Sequence, residues 1–160
     1  MLVGILSDTH DHRDNIKKAV EIFKDRAVEH IIHAGDYVAP FTGSEFYEFI
    51  HGFTGVFGNN DGDRLLLNQM YPGMIHNQPY SFELSGKKIL LMHEPYRIDE
   101  HAASCAYDLI IHGHTHKPYS EMRGCTLILN PGETCGWVSG RATIALLDLS
   151  TMIPDILEFR

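Results

Sequence analysis

Short apolar runs alternate with amphipathic segments through the first half of the chain. Residues 2–6, 30–33 and 53–57 form apolar runs of the length that is typical of buried strands. After the first run, apolar residues from Ile16 to Phe23 recur at helical spacing among charged residues, and a second helix is predicted over residues 44–50. A strand–loop–helix unit that repeats three times is typical of a layered α/β fold.

The second half of the chain consists mainly of strand-like segments. Residues 80–84 and 88–92 flank a turn at Ser85-Gly86 and predict a hairpin. Two packed sheets with helices on the outside satisfy both halves of the chain. We therefore predict one α/β domain over residues 1–160. The further strands are predicted over residues 109–112, 125–129, 142–149 and 153–159.

Composition and charge are those of a globular protein that does not bind nucleic acid. Of the 160 residues, 44% are hydrophobic and 21% are charged, close to the globular average. The formal net charge of −8 repels a phosphate backbone, which disfavours nucleic acid as a partner. No apolar run reaches the roughly 18 residues of a membrane span. The apolar N-terminus meets Asp8 at once, so we interpret it as a buried strand and not as a signal peptide.

The three cysteines are Cys105, Cys125 and Cys135, and none of them forms a C-x-x-C pair. An odd number without close pairing indicates a reducing, cytoplasmic setting and not a disulfide framework. A zinc–thiolate site would need closer pairing. We expect all three residues to serve in packing, because a free cysteine behaves as a small hydrophobic residue.

Five short polar segments each directly follow a strand-like run. Ligand sites in such sheets lie beyond the carboxyl ends of the strands, so five segments of this kind can converge. Asp8 and His10 are two residues apart, as are His114 and His116, and in an extended segment such pairs point the same way. The five segments are Asp8-Thr9-His10, Gly35-Asp36, Gly58-Asn59-Asn60-Asp61, His93 and Gly113-His114-Thr115-His116.

These segments contain the ligand types that divalent metals prefer. Carboxylate, amide oxygen and imidazole suit Mn²⁺, Fe²⁺, Ni²⁺, Co²⁺ or Zn²⁺ better than Cu(I). Taken alone, His93 is more often a hydrogen-bonded histidine than a ligand, and Asn59 is a common turn former. All five segments in order, each at a strand end, favour a metal site. Gly35, Gly58 and Gly113 are expected to let the backbone turn sharply there.

The chain order Asp-x-His, Gly-Asp, Gly-Asn-x-Asp, His, Gly-His-x-His resembles that of the calcineurin-like metallophosphoesterase superfamily. The match spans residues 8–116, and the compact length with its Asn130-Pro131-Gly132 turn is most similar to the small YfcE-type phosphodiesterase branch. The resemblance implies a four-layer α-β-β-α sandwich of two packed mixed sheets flanked by helices. It also implies two divalent metal ions. Asp8, His10 and His116 would bind the first ion, Asn59, His93 and His114 the second, and Asp36 would bridge both.

One position departs from the pattern that this resemblance implies. Two metal ions can lower the pKa of a water and clamp phosphoryl oxygens, so that no protein nucleophile is needed. Many superfamily members have a histidine after the Gly-Asn that aids the leaving group, whereas this chain has Asn60. An amide donates a hydrogen bond but is not a general acid near neutral pH, so we expect weak leaving-group protonation.

Two neighbouring residues are candidates for supporting roles. Asp61 is expected to orient the groups around it without binding metal. His12, two residues beyond His10, is either a substitute acid or a surface histidine at the start of the following helix. Trp137 is expected either to shape a loop or to form a subunit contact.

The predicted function is that of a cytoplasmic, metal-dependent phosphoesterase, with a phosphodiesterase favoured, acting on a small phosphoester. Mn²⁺ or Ni²⁺ is favoured, and the family resemblance favours a homodimer. A phosphomonoesterase stays open, and so does a non-catalytic scaffold such as the retromer subunit of the vacuolar sorting family. The filled histidine positions favour an enzyme over a scaffold. A repair nuclease is disfavoured because the chain has no evident basic stripe.

Overall fold

The computed structural model describes residues 1–42 and 44–160, which form strands, three α-helices and one 3₁₀ helix. The helices are α1 (Arg13–Asp25), the 3₁₀ helix (Pro40–Phe49), α2 (Arg64–Met70) and α3 (Ile98–Ala103). The strands are β1 (Leu2–Leu6), β2 (His30–His33), β3 (Phe53–Val56), β4 (Ile75–His76), β5 (Tyr80–Leu84), β6 (Lys87–Leu91), β7 (Leu109–Ile111), β8 (Tyr119–Arg123), β9 (Thr126–Asn130), β10 (Ala142–Asp148) and β11 (Ile153–Phe159).

The strands form two mixed sheets. The first has the order β11-β10-β1-β2-β3-β4, and the second has the order β5-β6-β7-β9-β8. The neighbours β1, β2 and β3 run parallel in the first sheet, as do β6, β7 and β9 in the second. Because β4 also pairs parallel to β3, the first sheet has four neighbouring strands whose carboxyl ends lie at one edge, and the second has three. Side chains from different loops can meet at this edge.

Alternation of side chains along β1 separates the two interior layers. Val3 and Ile5 pack into the apolar layer between the sheets, whereas Leu6 packs against the helices on the outer face. A Cβ at Gly4 would come within 2.7 Å of the ring of Phe23 on α1, so only glycine lets the helix lie this close to the strand.

Helices cover the outer face of each sheet. The apolar cluster outside the first sheet contains residues of α1, the 3₁₀ helix and α2, and Ala102 of α3 packs against β6, β7 and β9 of the second sheet. The arrangement is α-β-β-α, and the predicted four-layer sandwich is confirmed. None of the helices in the described residues is long and apolar enough to cross a membrane.

The helix predicted after β1 is confirmed as α1. Its buried residues Ile16, Ala19, Val20 and Phe23 recur at helical spacing, so one face packs on the sheet. His12 caps the helix, because its Nδ1 accepts a hydrogen bond from the Asn15 amide at 3.3 Å.

The helix predicted over residues 44–50 is present, but it begins earlier than predicted and has 3₁₀ geometry. The segment is a 3₁₀ helix that begins at Pro40, where the missing N–H of proline is tolerated in a first turn. Four short elements were not located from the sequence: β4, α3 and β8 were not predicted, and α2 was predicted only as the helix of the third repeat, without bounds. They bury few side chains, as in α2, where Leu67 is buried but Leu65 is 71% exposed, and so they have no clear apolar period.

The cysteine prediction is wrong for two of the three residues. Cys105 and Cys125 form a disulfide with a Cα–Cα distance of 5.8 Å, which joins the loop after α3 to the start of β9. The two residues are 20 positions apart, and only the folding of β9 against β7 brings them together. Cys135 is a buried free thiol, in agreement with a packing role.

Candidate metal centre

Loops at the carboxyl ends of five parallel strands meet at one edge of the sandwich. Backbone hydrogen bonds join these loops, such as the Asp8 amide to the Gly35 carbonyl at 3.0 Å and the Gly113 amide to the His93 carbonyl at 3.1 Å. In the first sheet, Asp8 and His10 follow β1, Asp36 follows β2 and Asn59 follows β3. In the second sheet, His93 follows β6, and His114 and His116 follow β7.

A first group of ligand atoms surrounds Asp8. Asp8 Oδ1 lies 3.2 Å from His116 Nε2 and 3.8 Å from His10 Nε2. Asp8 Oδ1 and His10 Nε2 are buried, and neither has a hydrogen-bond partner among the described residues. Buried polar atoms without a partner are rare in folded proteins. Asp8 Oδ1 and His10 Nε2 both carry lone pairs that could bind a cation, and they lie near each other. Their lack of hydrogen-bond partners among the described residues therefore fits a bound cation.

A second group surrounds His93. Its Nε2 lies 2.8 Å from Asn59 Oδ1 and 3.4 Å from Asp36 Oδ2. Asn59 Oδ1 is also 2.9 Å from His114 Nδ1. Asp36 Oδ2 lies 3.5 Å from His10 Nε2, so this carboxylate reaches both groups. The structure thus brings together all seven side chains that the sequence predicts as ligands.

Hydrogen bonds to the outer ring nitrogens determine which nitrogen of two histidines is free. His93 Nδ1 lies 2.8 Å from the Ala34 carbonyl, and His116 Nδ1 lies 2.8 Å from Glu133 Oε2. Both partners are acceptors, so each Nδ1 must carry the proton. In the neutral ring, Nε2 is then left with its lone pair towards the cluster, as in histidines that bind metals.

The cluster holds its carboxylates ionised in spite of burial. Burial raises the pKa of Asp8, but the neighbouring side chains of His10, His116 and Ser7 outweigh it and hold that pKa well below its usual range. The Asp8 carboxylate raises the pKa of His116 to about 9. Burial acts in the opposite direction, and the Glu133 carboxylate adds to the effect of Asp8. Without metal, the proton on His116 offsets the carboxylate charge; a bound cation would do so in its place.

The ligand loops have unusual backbone geometry. Asp8, His10, Asp36, His114 and His116 all have positive φ angles, between 40° and 66°. The prediction that the two i, i+2 pairs lie in extended segments is therefore wrong. Side chains that must turn back to one point from adjacent strand ends require tight left-handed turns, which non-glycine residues adopt at a cost.

The three glycines predicted to provide sharp turns act in two different ways. Gly35 has a φ of 94°, so it does provide a turn. Gly58 and Gly113 have φ angles outside the left-handed region, and they are needed because neighbouring side chains lie too close to their backbone for a Cβ. A Cβ at Gly58 would lie 2.1 Å from Asp36 Oδ1, and one at Gly113 would lie 1.9 Å from Ser7 Oγ.

Asn60 and Asp61 both support Asp36. The Asn60 side chain donates to Asp36 Oδ2 at 2.7 Å, and its backbone amide donates to Oδ1 at 2.8 Å. Asp61 is buried and accepts from the backbone amides of Asp36 at 3.1 Å, Val38 at 2.8 Å and Gly58 at 2.7 Å. Asp61 therefore ties the loops after β2 and β3 together.

Sequence reasoning missed two residues that support the centre. Glu133 is fully buried behind His116, and it follows β9, a further parallel strand that ends at this edge. The Asn130 amide donates to the Gly113 carbonyl at 3.0 Å and to Thr115 Oγ1 at 3.0 Å, and so holds the His114–His116 loop. The signal was present, because Asn-Pro-Gly-Glu also follows a predicted strand.

An α-β-β-α sandwich with an Asp, His and Asn cluster at its strand ends is the arrangement expected of a metal-dependent phosphoesterase. Residues 1–152 match the model of the calcineurin-like phosphoesterase superfamily domain, and the chain belongs to this superfamily. The superfamily predicted from the motifs is confirmed. The prediction of a phosphoester hydrolase is confirmed at the level of the family.

Relatives and solved structures agree with this membership. The chain is 39% identical over 154 residues to phosphodiesterase MJ0936 of Methanocaldococcus jannaschii, covering 92% of this chain and 93% of the relative. The structure of an archaeal phosphodiesterase superposes with a TM-score of 0.92 at 36% identity, covering 99% of this chain and all of the other. YfcE, a phosphoesterase from E. coli, superposes over the full length of both chains with a TM-score of 0.74 at 19% identity, a likeness of fold.

Proposed function

We propose that this chain is a phosphodiesterase that acts on small phosphodiesters with two divalent metal ions. The observation that carries the proposal is the convergence of the seven predicted ligands. Two of their buried atoms, Asp8 Oδ1 and His10 Nε2, have no hydrogen-bond partner among the described residues. The similarity to a phosphodiesterase over nearly the whole chain supports a diester as the substrate.

The ligand roles follow the two groups of contacts. Ions at this centre would activate a water molecule and polarise the phosphoryl oxygens of the substrate. Oxygen and imidazole donors favour Mn²⁺ or Ni²⁺, and Fe²⁺, Co²⁺ and Zn²⁺ are compatible with the same set. Asp8, His10 and His116 would hold the first ion, Asn59, His93 and His114 would hold the second, and the Asp36 carboxylate, which reaches both groups, would be shared between them.

The chain itself provides little protonation of the leaving group. Asn60 stands where other members carry a histidine, and its amide is engaged with Asp36. His12 supplies what protonation remains. Its Nδ1 accepts from the Asn15 amide, so the proton of the neutral ring is on Nε2, and its ring lies 5.8 Å from that of Trp137.

A series of aryl and alkyl phosphodiesters tests this account. We expect kcat/KM to fall steeply as the pKa of the leaving group rises, and Asn60→His to raise the rates on alkyl diesters by about 10²-fold or more. His12→Asn keeps a side chain that can cap α1 but cannot titrate, and it should slow alkyl diesters more than aryl diesters. A flat leaving-group dependence in the unsubstituted protein would contradict the account, and an unchanged rate and pH profile in His12→Asn would remove His12 from it.

Three further predictions go with this function. Residues 1–160 act as one metallophosphoesterase domain, a homodimer is the expected assembly, and nucleic acid is not expected as a substrate because of the net charge of −8. A cytoplasmic location stays a prediction. The Cys105–Cys125 disulfide removes the cysteine argument for it, since stable disulfides are uncommon in most cytosolic proteins.

A further inference from the structure

Trp137 is an exposed aromatic residue beside the candidate metal centre. It is the only tryptophan of the chain and is 63% exposed, and the adjacent Val138 is 75% exposed. The indole ring lies 6.1 Å from the ring of His10, with an angle of 28° between the planes. Because His10 Nε2 is itself 3.5 Å from Asp36 Oδ2, Trp137 is separated from the ligand cluster by one ring.

The segment that carries Trp137 is fastened to the same groups that form the centre. The Cys135 amide donates to the Asp8 carbonyl at 3.1 Å, and the side chain of Asn15 donates to the Cys135 carbonyl at 3.1 Å. The buried Glu133 carboxylate accepts from the Val138 amide at 3.0 Å and also from His116 Nδ1. One carboxylate therefore fixes both a metal ligand and the backbone next to Trp137.

The exposed indole of Trp137 and the hydrogen-bonded backbone beside it together indicate that the indole contacts a bound molecule. A tryptophan that serves only in packing buries most of its apolar area, and exposed loops normally carry polar residues. Here a rigid backbone holds the largest apolar side chain in solvent at the edge of the site. A planar ring stacked on an anchored indole binds without ordering the loop first, which reduces the entropic cost of binding.

We propose that Trp137 determines specificity by stacking on a planar aromatic substituent of the phosphodiester. This inference rests on the proposed function and adds the substrate class, a diester with at least one aryl or heteroaromatic group. Trp137 does not touch the reacting atoms, so its contribution is to binding and to the choice of substrate.

The test uses the protein loaded with Zn²⁺, a d¹⁰ ion without redox chemistry, and two phosphonates that are not hydrolysed. Phenylphosphonate and methylphosphonate share the anionic group and differ in the ring. We expect phenylphosphonate to inhibit about 10-fold more tightly, a factor equivalent to about 1.4 kcal/mol. We also expect it to change the emission of Trp137, the sole tryptophan, whereas methylphosphonate changes it little.

Two variants separate stacking from a structural role. Trp137→Ala should bring the ratio of the two inhibition constants close to one, and Trp137→Phe should restore most of the preference. Equal inhibition of the unsubstituted protein by both phosphonates, with no emission change, would overturn the inference even where diesters are hydrolysed. A shift from dimer to monomer in Trp137→Ala on sedimentation would also overturn it in favour of a subunit contact.

Failure of the proposed function has a different signature. If no diester is hydrolysed with any metal but phenylphosphonate still binds and changes the emission of Trp137, the aromatic subsite stands and the phosphodiesterase proposal falls. The emission measurement needs no turnover, so it tests the aromatic subsite independently of the phosphodiesterase proposal.

Discussion

Glu133 shows how one buried carboxylate acts on His116, a neighbouring candidate ligand. Burial raises its pKa, but hydrogen bonds from Ser139, His116 and the Val138 backbone outweigh this and lower the pKa to about 2. The carboxylate is therefore ionised throughout the physiological range. Its role is to hold the His116 ring with Nε2 towards Asp8, which is the arrangement of a carboxylate–histidine–metal triad.

The substitution Glu133→Gln tests this role. The amide keeps the size of the side chain but removes the charge that orients His116, and such losses typically reduce metal affinity by about 10–100-fold. Isothermal titration of the metal-free protein with Zn²⁺ measures the change. Glu121→Gln makes the same substitution on the exposed strand β8 and serves as the control. Equal affinities in the two variants would contradict the role.

His33 makes the stability of the metal-free protein depend on pH. Burial lowers the pKa of His33 to about 3, and its Nδ1 accepts from the Gly35 amide at 3.1 Å, so the ring is neutral in the fold. In the unfolded chain the pKa is about 6.5. Below that pH the unfolded chain binds a proton that the native protein does not. The contribution of His33 is therefore complete above pH 6.5 and falls by about 1.4 kcal/mol per pH unit towards pH 3.

Urea unfolding of the metal-free protein between pH 7 and about pH 4 measures this effect. His33→Asn retains an acceptor near the Gly35 amide and has no titrating ring, so its free energy of unfolding should be lower at pH 7 but less sensitive to acid. Asp8 and Asp36 titrate in both proteins, so the difference between the two slopes isolates His33. Parallel slopes would show that His33 does not cause the acid sensitivity.

Elements that are buried on both faces were predictable from the sequence, and short exposed elements were not. β1 and β2 lie inside a sandwich with apolar neighbours above and below, so continuous apolar runs mark them. α2 and α3 have seven and six residues, too few for a helical period to stand out. The site divides in the same way. Motif spacing predicted the seven candidate ligands, whereas Glu133 also follows a strand but belongs to none of the metal motifs, and only the fold places it behind His116.

The disulfide stabilises the second sheet at the edge away from the metal centre. Cys125 precedes β9, and the candidate site lies beyond the other end of that strand. Closing a loop with a sequence separation of 20 residues is worth about 3 kcal/mol through the unfolded state. We expect the double variant Cys105→Ser, Cys125→Ser to lose about that much in urea unfolding and to keep its diester hydrolysis rate.

Reductant added to the unsubstituted protein is the matched control for this prediction, because it breaks the same bond without a substitution. The midpoint of unfolding should fall to that of the double variant. An unchanged midpoint in both cases would show that the bond adds nothing to stability. A lost hydrolysis rate with an intact fold would show that the far edge of the sheet affects the site.

The whole molecule explains why the ligands come from both halves of the chain. The first sheet contributes the loops after β1, β2 and β3, and the second contributes the loops after β6 and β7. The apolar layer between the sheets, which includes Val3, Ile5, Ile89 and Leu109, fixes the two sets of loops against each other. The position of each candidate metal ligand therefore depends on the packing of the sandwich as well as on its own loop.

The count of metal ions bound per chain tests the central claim most directly. Equilibrium dialysis of the metal-free protein against Mn²⁺, followed by elemental analysis, should give two ions per chain. Asn59→Ala removes a ligand of the second group and leaves Asp8, His10 and His116 in place, so it should bind one ion. A single ion in the unsubstituted protein, or two ions bound equally well by Asn59→Ala, would contradict the two-metal centre.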